Sequence, residues 1–192
     1  MILLILGLAI FLGTHSIGIF AQDWRQRQIL HFGAWGWKGR FALASLVGLV
    51  LIIIGFGEAR TIAVLIYAPP DLLRRLNVLW TLMAFVLVAA AYVPGNRIKA
   101  RIGHPMLAGV AIWAFGHLLA KGTLSDVLLF GAFLVWAVTD FVVSSVRDRR
   151  AGRVYPPGTR QGDVVTIVVG VVIWIAFAVW LHRRLIGVNP LA

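Results

Sequence analysis

The chain has 192 residues, of which 60% are hydrophobic and only 13% are charged, and its mean hydropathy is +0.91. Soluble domains are about half apolar and about one quarter charged, so this composition excludes an ordinary water-soluble fold. The net charge of +11 does not indicate nucleic-acid binding, because lysine and arginine lie in short segments between apolar runs rather than on one soluble face.

Six apolar runs are long enough, or nearly so, to cross a bilayer as helices, each of which needs about 20 residues. They predict an all-α integral membrane bundle of about six transmembrane helices. Six such helices leave no room for a second domain, so residues 1–192 are predicted to form a single transmembrane domain. The predicted helices lie near residues 2–21, 39–57, 76–93, 105–120, 124–144 and 164–182.

The first run has some features of a signal peptide. A signal peptide carries its positive charges before the apolar core, whereas Arg25 and Arg27 follow the core here. We therefore expect residues 1–21 to be retained as the first helix. The basic segment 31–40, which is rich in glycine and tryptophan, is expected to be a loop that anchors the chain at the lipid headgroups.

The cations predict an orientation. With the N-terminus outside, the inner segments hold twelve lysines and arginines and the outer segments hold six, so the positive-inside rule favours both termini outside. The twelve are Arg25, Arg27, Lys38, Arg40, Arg97, Lys99, Arg101, Arg147, Arg149, Arg150, Arg153 and Arg160. The six are Arg60, Arg74, Arg75, Lys121, Arg183 and Arg184.

Ionisable residues inside the apolar runs are the best guide to function, because a charge at the bilayer centre costs at least about 2.5–3.5 kcal/mol. Histidine is cheaper because it can stay neutral, and His15 and His117 lie well inside the first and fourth predicted helices. His15 has two interpretations: an axial ligand of haem or another metal, or an interhelical hydrogen bond. The absence of cysteine excludes thiolate ligands and a cysteine nucleophile.

His104 precedes Pro105, which suits the first turn of a helix. It is either a functional residue or an interfacial residue at the start of the fourth helix. His104 and His117 project about 140° apart around a straight helix, so we expect them to have different roles.

Asp140 lies in the inner half of the fifth predicted helix. Two roles are open for it. It either orients a histidine that binds a ligand, or it pairs with Arg101 or Arg147 near the surface.

The fourth and fifth predicted helices contain a series of short motifs. These are His104-Pro105-Met106-Leu107-Ala108-Gly109, Trp113, Gly116-His117-Leu118-Leu119-Ala120-Lys121-Gly122, Asp126-Val127-Leu128-Leu129-Phe130-Gly131, Trp136, Ser145 and Arg147-Asp148-Arg149. Together with His15-Ser16 and Gly39-Arg40, they resemble the bacterial NnrU family, which is named for its association with nitrite and nitric oxide reduction. The resemblance covers essentially the whole chain; Lys121 departs from it, because relatives often carry asparagine there.

The NnrU family is similar to plant zeta-carotene isomerase, a membrane enzyme that binds haem b between histidines. The resemblance implies haem b as cofactor, with His15 and His117 as ligands of the iron. Asp140 and Trp113 are the residues expected beside these ligands. The resemblance also implies a protein of the bacterial inner membrane, associated with denitrification as a redox, haem-handling or haem-dependent isomerase-like factor. In that membrane, the orientation that the cations predict makes both termini periplasmic. The plant enzyme has a cysteine three residues before the second ligand, where this chain has Ala114.

The depths of the histidines leave another pairing open. His15 lies about 9 Å and His117 about 20 Å from the inner boundary at 1.5 Å per residue. One iron holds two axial nitrogens only about 4 Å apart. His104 paired with His15 is therefore the alternative.

Two other functional classes remain. Arg101-x-x-His104-Pro105-x-x-x-Gly109 resembles the element with which membrane methyltransferases hold S-adenosylmethionine, and Asp148 is the one carboxylate available after the following helix. The chain could instead be an accessory membrane subunit without chemistry. The expected partners are the lipid bilayer and haem or a small apolar ligand. The sequence leaves open which proteins it contacts and whether it is an enzyme.

Overall fold

The computed structural model describes residues 1–188 and confirms the predicted all-α membrane bundle. Its helices are α1 Ile2–Phe20, α2 Gln22–Ala59, α3 Asp71–Tyr92, α4 Arg97–Ile102, α5 Pro105–Ala120, α6 Leu124–Arg150, α7 Arg160–Ala176 and α8 His182–Ile186. A π-helical turn, Phe177–Leu181, joins α7 to α8, so Arg160–Ile186 is one continuous span. In the described part, five helices are long and apolar enough to cross a membrane, and α5 is a shorter apolar helix.

Local signals set the ends of α5 and α6. α5 begins at Pro105, whose missing N–H costs nothing in the first turn. α6 follows a capping box, in which the Thr123 hydroxyl accepts from the backbone N–H of Asp126 and the Asp126 carboxylate accepts from that of Thr123. Between the two helices, Lys121 and Gly122 make the short turn of a helical hairpin.

α2 is longer than the predicted second helix, because it begins at Gln22 rather than near residue 39. Within it, Gly33 leaves the helical conformation, with φ 73° and ψ 164°. A residue without a Cβ adopts this conformation at little cost. The segment expected to be a loop is therefore helical on both sides of one break.

Aromatic contacts across this break hold the two parts of α2 together. The ring centroids of Trp24 and Trp37 are 5.8 Å apart and nearly perpendicular. The guanidinium of Arg40 lies 3.2 Å from the centroid of the Phe32 ring, a cation–π contact. These contacts fold residues 22–32 back against the start of the membrane-spanning part.

Glycines let α1 and α2 approach each other closely along their length. A Cβ added at Gly7 would lie 2.6 Å from the backbone nitrogen of Ile52, and one added at Gly55 would overlap the backbone of Leu4. The apolar effect does not drive helices together in lipid, so close van der Waals packing of this kind is what stabilises the pair.

The helices pack in the order α2, α1, α6, α5, α3, α7. Neighbours run antiparallel, except that α1 and α6 run parallel. α6 therefore stands between α1, which carries His15, and α5, which carries His117.

The two ends of the bundle differ in charge. Residues 20–40, 92–105 and 147–160 lie at one end, the basic end, and contain all twelve cations that the sequence assigns to one side. Large apolar side chains remain exposed on the flanks, such as Leu43 at 64% and Val135 at 68%. An apolar outer surface of this extent fits a lipid bilayer, so the chain is a multi-pass membrane protein.

Candidate functional site

His15 lies five residues before the end of α1, near the basic end, within an aromatic cluster. Its ring stacks on that of Phe11, with centroids 4.3 Å apart. Phe41 of α2 and Trp136 of α6 contact its ring edge-on, at 5.0 Å and 5.8 Å. Residues from three helices therefore fix the position of this imidazole.

The hydrogen bond of His15 defines which ring nitrogen is free. Nδ1 lies 2.8 Å from the backbone carbonyl oxygen of Phe11, and because a carbonyl can only accept, Nδ1 carries the proton. In the neutral ring, Nε2 then holds a lone pair, and among residues 1–188 it has no hydrogen-bond partner. A histidine that binds a metal through one nitrogen commonly donates its other N–H in this way.

A cavity of about 490 Å³ opens beside His15, between α1 and the first part of α2. Trp37 and Phe41 give it aromatic walls, and Arg25 and Lys38 line it with positive charge. Such a cavity can receive a molecule with a flat apolar body and an acidic edge. Its position at the basic end places the charged edge near the membrane boundary.

A buried polar atom next to His15 is unsatisfied. The indole Nε1 of Trp136 has no hydrogen-bond partner in the described part of the chain. An unpaired buried N–H costs about 1–3 kcal/mol, so such groups commonly mark a functional site.

His117 repeats the local arrangement of His15, three residues before the end of α5. Its Nδ1 lies 2.9 Å from the backbone carbonyl of Trp113 and donates to it. Its ring stacks on Phe130 with centroids 4.4 Å apart and also contacts the Trp113 ring at 5.2 Å. Trp113, predicted to lie beside a ligand, thus orients His117 through both its backbone and its ring.

The structure does not bring His15 and His117 together. The aromatic path between them crosses α6: Phe11 contacts Phe133 at 5.8 Å, and Phe133 contacts Trp113 at 5.6 Å. Counted from the basic end, His15 lies about 8 Å deep and His117 about 18 Å deep at 1.5 Å per residue. In this arrangement the rings of Phe133 and Trp113 lie between the two imidazoles.

His104 belongs to a different cluster at the basic end. Its Nε2 lies 3.0 Å from the Oδ2 of Asp148 and 3.3 Å from the hydroxyl of Tyr155. The Tyr155 hydroxyl donates to Asp148, and Arg153 Nη1 lies 3.4 Å from the other carboxylate oxygen. Burial, followed by the hydrogen bond to Asp148, raises the pKa of Tyr155 above its usual value of 10.0. His104 therefore contacts a carboxylate and a phenol, and it is not placed beside His15.

Asp140 is linked to Arg147 through a serine. The Ser144 hydroxyl donates to Asp140 at 2.9 Å and accepts from Arg147 Nη2 at 3.0 Å. Arg147 Nη1 also donates to the backbone carbonyl of Gly18 at 3.2 Å. This network crosses from α6 to α1 one turn after His15, but within residues 1–188 Asp140 makes no hydrogen bond to a histidine ring.

The sequence did not reveal the residues that surround His15. In the sequence, Arg25 and Lys38 indicate the orientation of the chain, and Trp37 belongs to the segment predicted to anchor it at the headgroups. The break at Gly33 brings them to one cavity, and the glycines of segment 31–40 were the available sign of such a turn. No group of three histidine, aspartate or glutamate side chains that could hold a bare metal ion occurs in the described residues.

A family model described as NnrU protein matches residues 3–190. No curated protein and no solved structure matches the chain.

Proposed function

Because the chain belongs to the NnrU family, we propose that it is a haem b protein of the bacterial inner membrane with periplasmic termini. It acts in denitrification as a redox or haem-handling factor, in line with the nitrite and nitric oxide reduction for which the family is named. In this proposal His15 is the ligand of the haem iron. The bound haem would supply a redox-active iron, and the protein supplies its position and surroundings.

The observation that carries this proposal is the free Nε2 of His15 next to a cavity of about 490 Å³. The Phe11 carbonyl accepts from Nδ1, so in the neutral ring the lone pair lies on Nε2 and faces no hydrogen-bond partner in the described residues. Haem b is flat and largely apolar, with two propionates on one edge. Trp37 and Phe41 suit its body, while Arg25 and Lys38 suit the propionates.

His117 remains the second ligand that the family resemblance predicts. Its Nδ1 is tied to a backbone carbonyl just as that of His15 is, so its chemistry suits a ligand. The rings of Phe133 and Trp113 occupy the path between the two histidines. We therefore assign His15 as the primary ligand, and a role of His117 on the same iron requires α6 to move.

Ala114 weighs against isomerase chemistry of the plant type. It stands where that enzyme has its cysteine, and its side chain is 0% exposed in the packed face of α5. A methyl group offers no ligand to iron. The proposal is accordingly restricted to a redox or haem-handling role.

Absorption spectra of the purified full-length protein, oxidised and reduced, test the proposal. The wild type, supplied with haem, is expected to show a Soret band. His15→Ala should abolish it, whereas His117→Ala and the exposed control His31→Ala should retain it. Absence of a Soret band in the wild type after haem supplementation would contradict haem binding, and loss only in His117→Ala would move the ligand to α5.

A membrane methyltransferase is the second candidate, and one observation favours it. The carboxylate of Asp148, at the end of the helix after the Arg101-x-x-His104-Pro105 element, lies within 3.0 Å of His104. Titration of the purified protein with S-adenosylmethionine in a calorimeter should then give saturable heat that Asp148→Asn removes. If the titration gives no heat, this candidate is dismissed.

An accessory subunit without chemistry would be favoured if His15→Ala and His117→Ala both kept the full denitrification phenotype.

A further inference from the structure

A second cavity lies at the basic end. It is a groove of about 750 Å³ between the end of α1 and the last two turns of α6. Its floor is apolar and includes Phe20, Val142 and Val146. Its rim is polar, with Arg147 and Arg150 on one side and Asp23 on the other.

Arg147 is fixed in place at this rim with donors to spare. Two of its N–H groups are used, one by the Gly18 carbonyl at 3.2 Å and one by Ser144 at 3.0 Å. A guanidinium has five N–H groups, so three remain for a ligand. A side chain already held by the protein loses little conformational freedom when it binds an anion.

The charges around the groove favour an anion. Asp23 is the one acidic residue that lines it, against Arg147 and Arg150. In the described part of the chain, no salt bridge joins Asp23 to either arginine. Asp140 reaches Arg147 only through Ser144, so the rim keeps an excess of positive charge.

We propose that this groove binds an anionic phospholipid, with its phosphate at Arg147 and Arg150 and an acyl chain along the apolar floor. The floor continues onto the lipid-facing surface, where Phe20 is 75% and Val142 is 52% exposed. A soluble phosphate would use the arginines and leave this floor uncovered, whereas a phospholipid satisfies both parts. The site uses neither histidine, so it does not depend on haem binding.

Native mass spectrometry of the full-length protein tests this, with detergent exchanged for nanodiscs of phosphatidylcholine containing phosphatidylglycerol. The wild type is expected to retain one phosphatidylglycerol molecule in preference to phosphatidylcholine. Arg147→Gln combined with Arg150→Gln should weaken that retention by about tenfold or more, because each cation near an anionic lipid contributes measurably to binding. Arg149→Gln is the control for Arg147→Gln or Arg150→Gln taken singly, since it removes one positive charge from the same helix outside the groove.

Because Arg147 also bonds α1, Arg150→Glu alone is the second variant. It leaves the Gly18 contact intact and should still reduce phosphatidylglycerol retention. Equal retention in the double variant and the wild type would overturn the proposal, as would equal losses in Arg149→Gln and the double variant. If inorganic phosphate competed as well as phosphatidylglycerol at equal concentration, the site would be one for phosphate rather than for lipid.

Discussion

The Nε2 of His104 lies 3.0 Å from the Oδ2 of Asp148, which joins the start of α5 to the end of α6 at the basic end. Tyr155 completes the contact by donating its hydroxyl to Asp148. Its ring also covers Gly103, where an added Cβ would lie 3.0 Å from it. The polar segment after α6 is thereby attached to the bundle.

Replacing Asp148 with asparagine is expected to destabilise the protein. An amide offers no negative charge to Arg153, and the partly buried polar groups of His104 and Tyr155 lose a charged partner. Thermal unfolding in detergent should show a Tm lower by a few degrees. Asp71→Asn is the control, because Asp71 forms an exposed ion pair with Arg74. An equal drop in Tm there would contradict a specific role for Asp148.

Tyr155 gives the stability a pH dependence at the alkaline end. Burial and the Asp148 contact raise the pKa of Tyr155 in the folded protein above its unfolded value of 10.0. The folded state therefore keeps the phenol proton longer than the unfolded state. This contribution is fully present below about pH 10 and is lost as pH rises through the folded pKa.

Tm measured from pH 8 to 11 should accordingly fall more steeply above pH 10 for the wild type than for Tyr155→Phe. The variant lacks the titrating group but keeps the ring against Gly103. Parallel curves for the two proteins would show that Tyr155 does not titrate differently on folding.

The glycines between α1 and α2 predict a pair of substitutions with opposite outcomes. A Cβ at Gly55 would overlap the backbone of Leu4, whereas a Cβ at Gly57 meets nothing within 4 Å. Gly55→Ala should destabilise by about 1–3 kcal/mol or more, because backbone cannot move aside as a side chain can. Gly57→Ala should be neutral or slightly stabilising, and unfolding in graded detergent mixtures would separate the two.

The sequence predicts the spanning helices well because each is a continuous apolar run with local start and stop signals. Pro105 begins α5, and the short Lys121-Gly122 turn separates the end of α5 from Thr123, which caps the start of α6. The early start of α2 could not be predicted in this way. Glycine and tryptophan in segment 31–40 resemble a loop locally, and only contacts such as Trp24 with Trp37 show that the segment is folded.

The arrangement of the helices around the histidines was even harder to predict from the sequence. Every membrane helix here is apolar on most of its circumference, so its sequence does not state which helix it contacts. The position of α6 between α1 and α5 follows from packing alone, and it separates His15 from His117. The same holds for the cluster around His104. Nothing in the sequence near Asp148 or Tyr155 indicates that both side chains contact His104, at the start of α5.

The final prediction concerns the cations of the His15 cavity. If haem binds there, its propionates lie near Arg25 and Lys38, and the combined variant Arg25→Gln with Lys38→Gln should bind haem about tenfold more weakly, since partly exposed ion pairs contribute up to about 1 kcal/mol each. The position of the Soret band should not change, because the iron ligand is untouched. Arg27→Gln is the control: Arg27 lies two residues from Arg25 but does not line the cavity.

Titration of the apoprotein with haem measures the affinity. Rising salt should reduce this affinity in the wild type more than in the double variant. Unchanged affinity in the double variant would place the propionates elsewhere, whereas loss in Arg27→Gln alone would show that general surface charge, and not this cavity, attracts the haem.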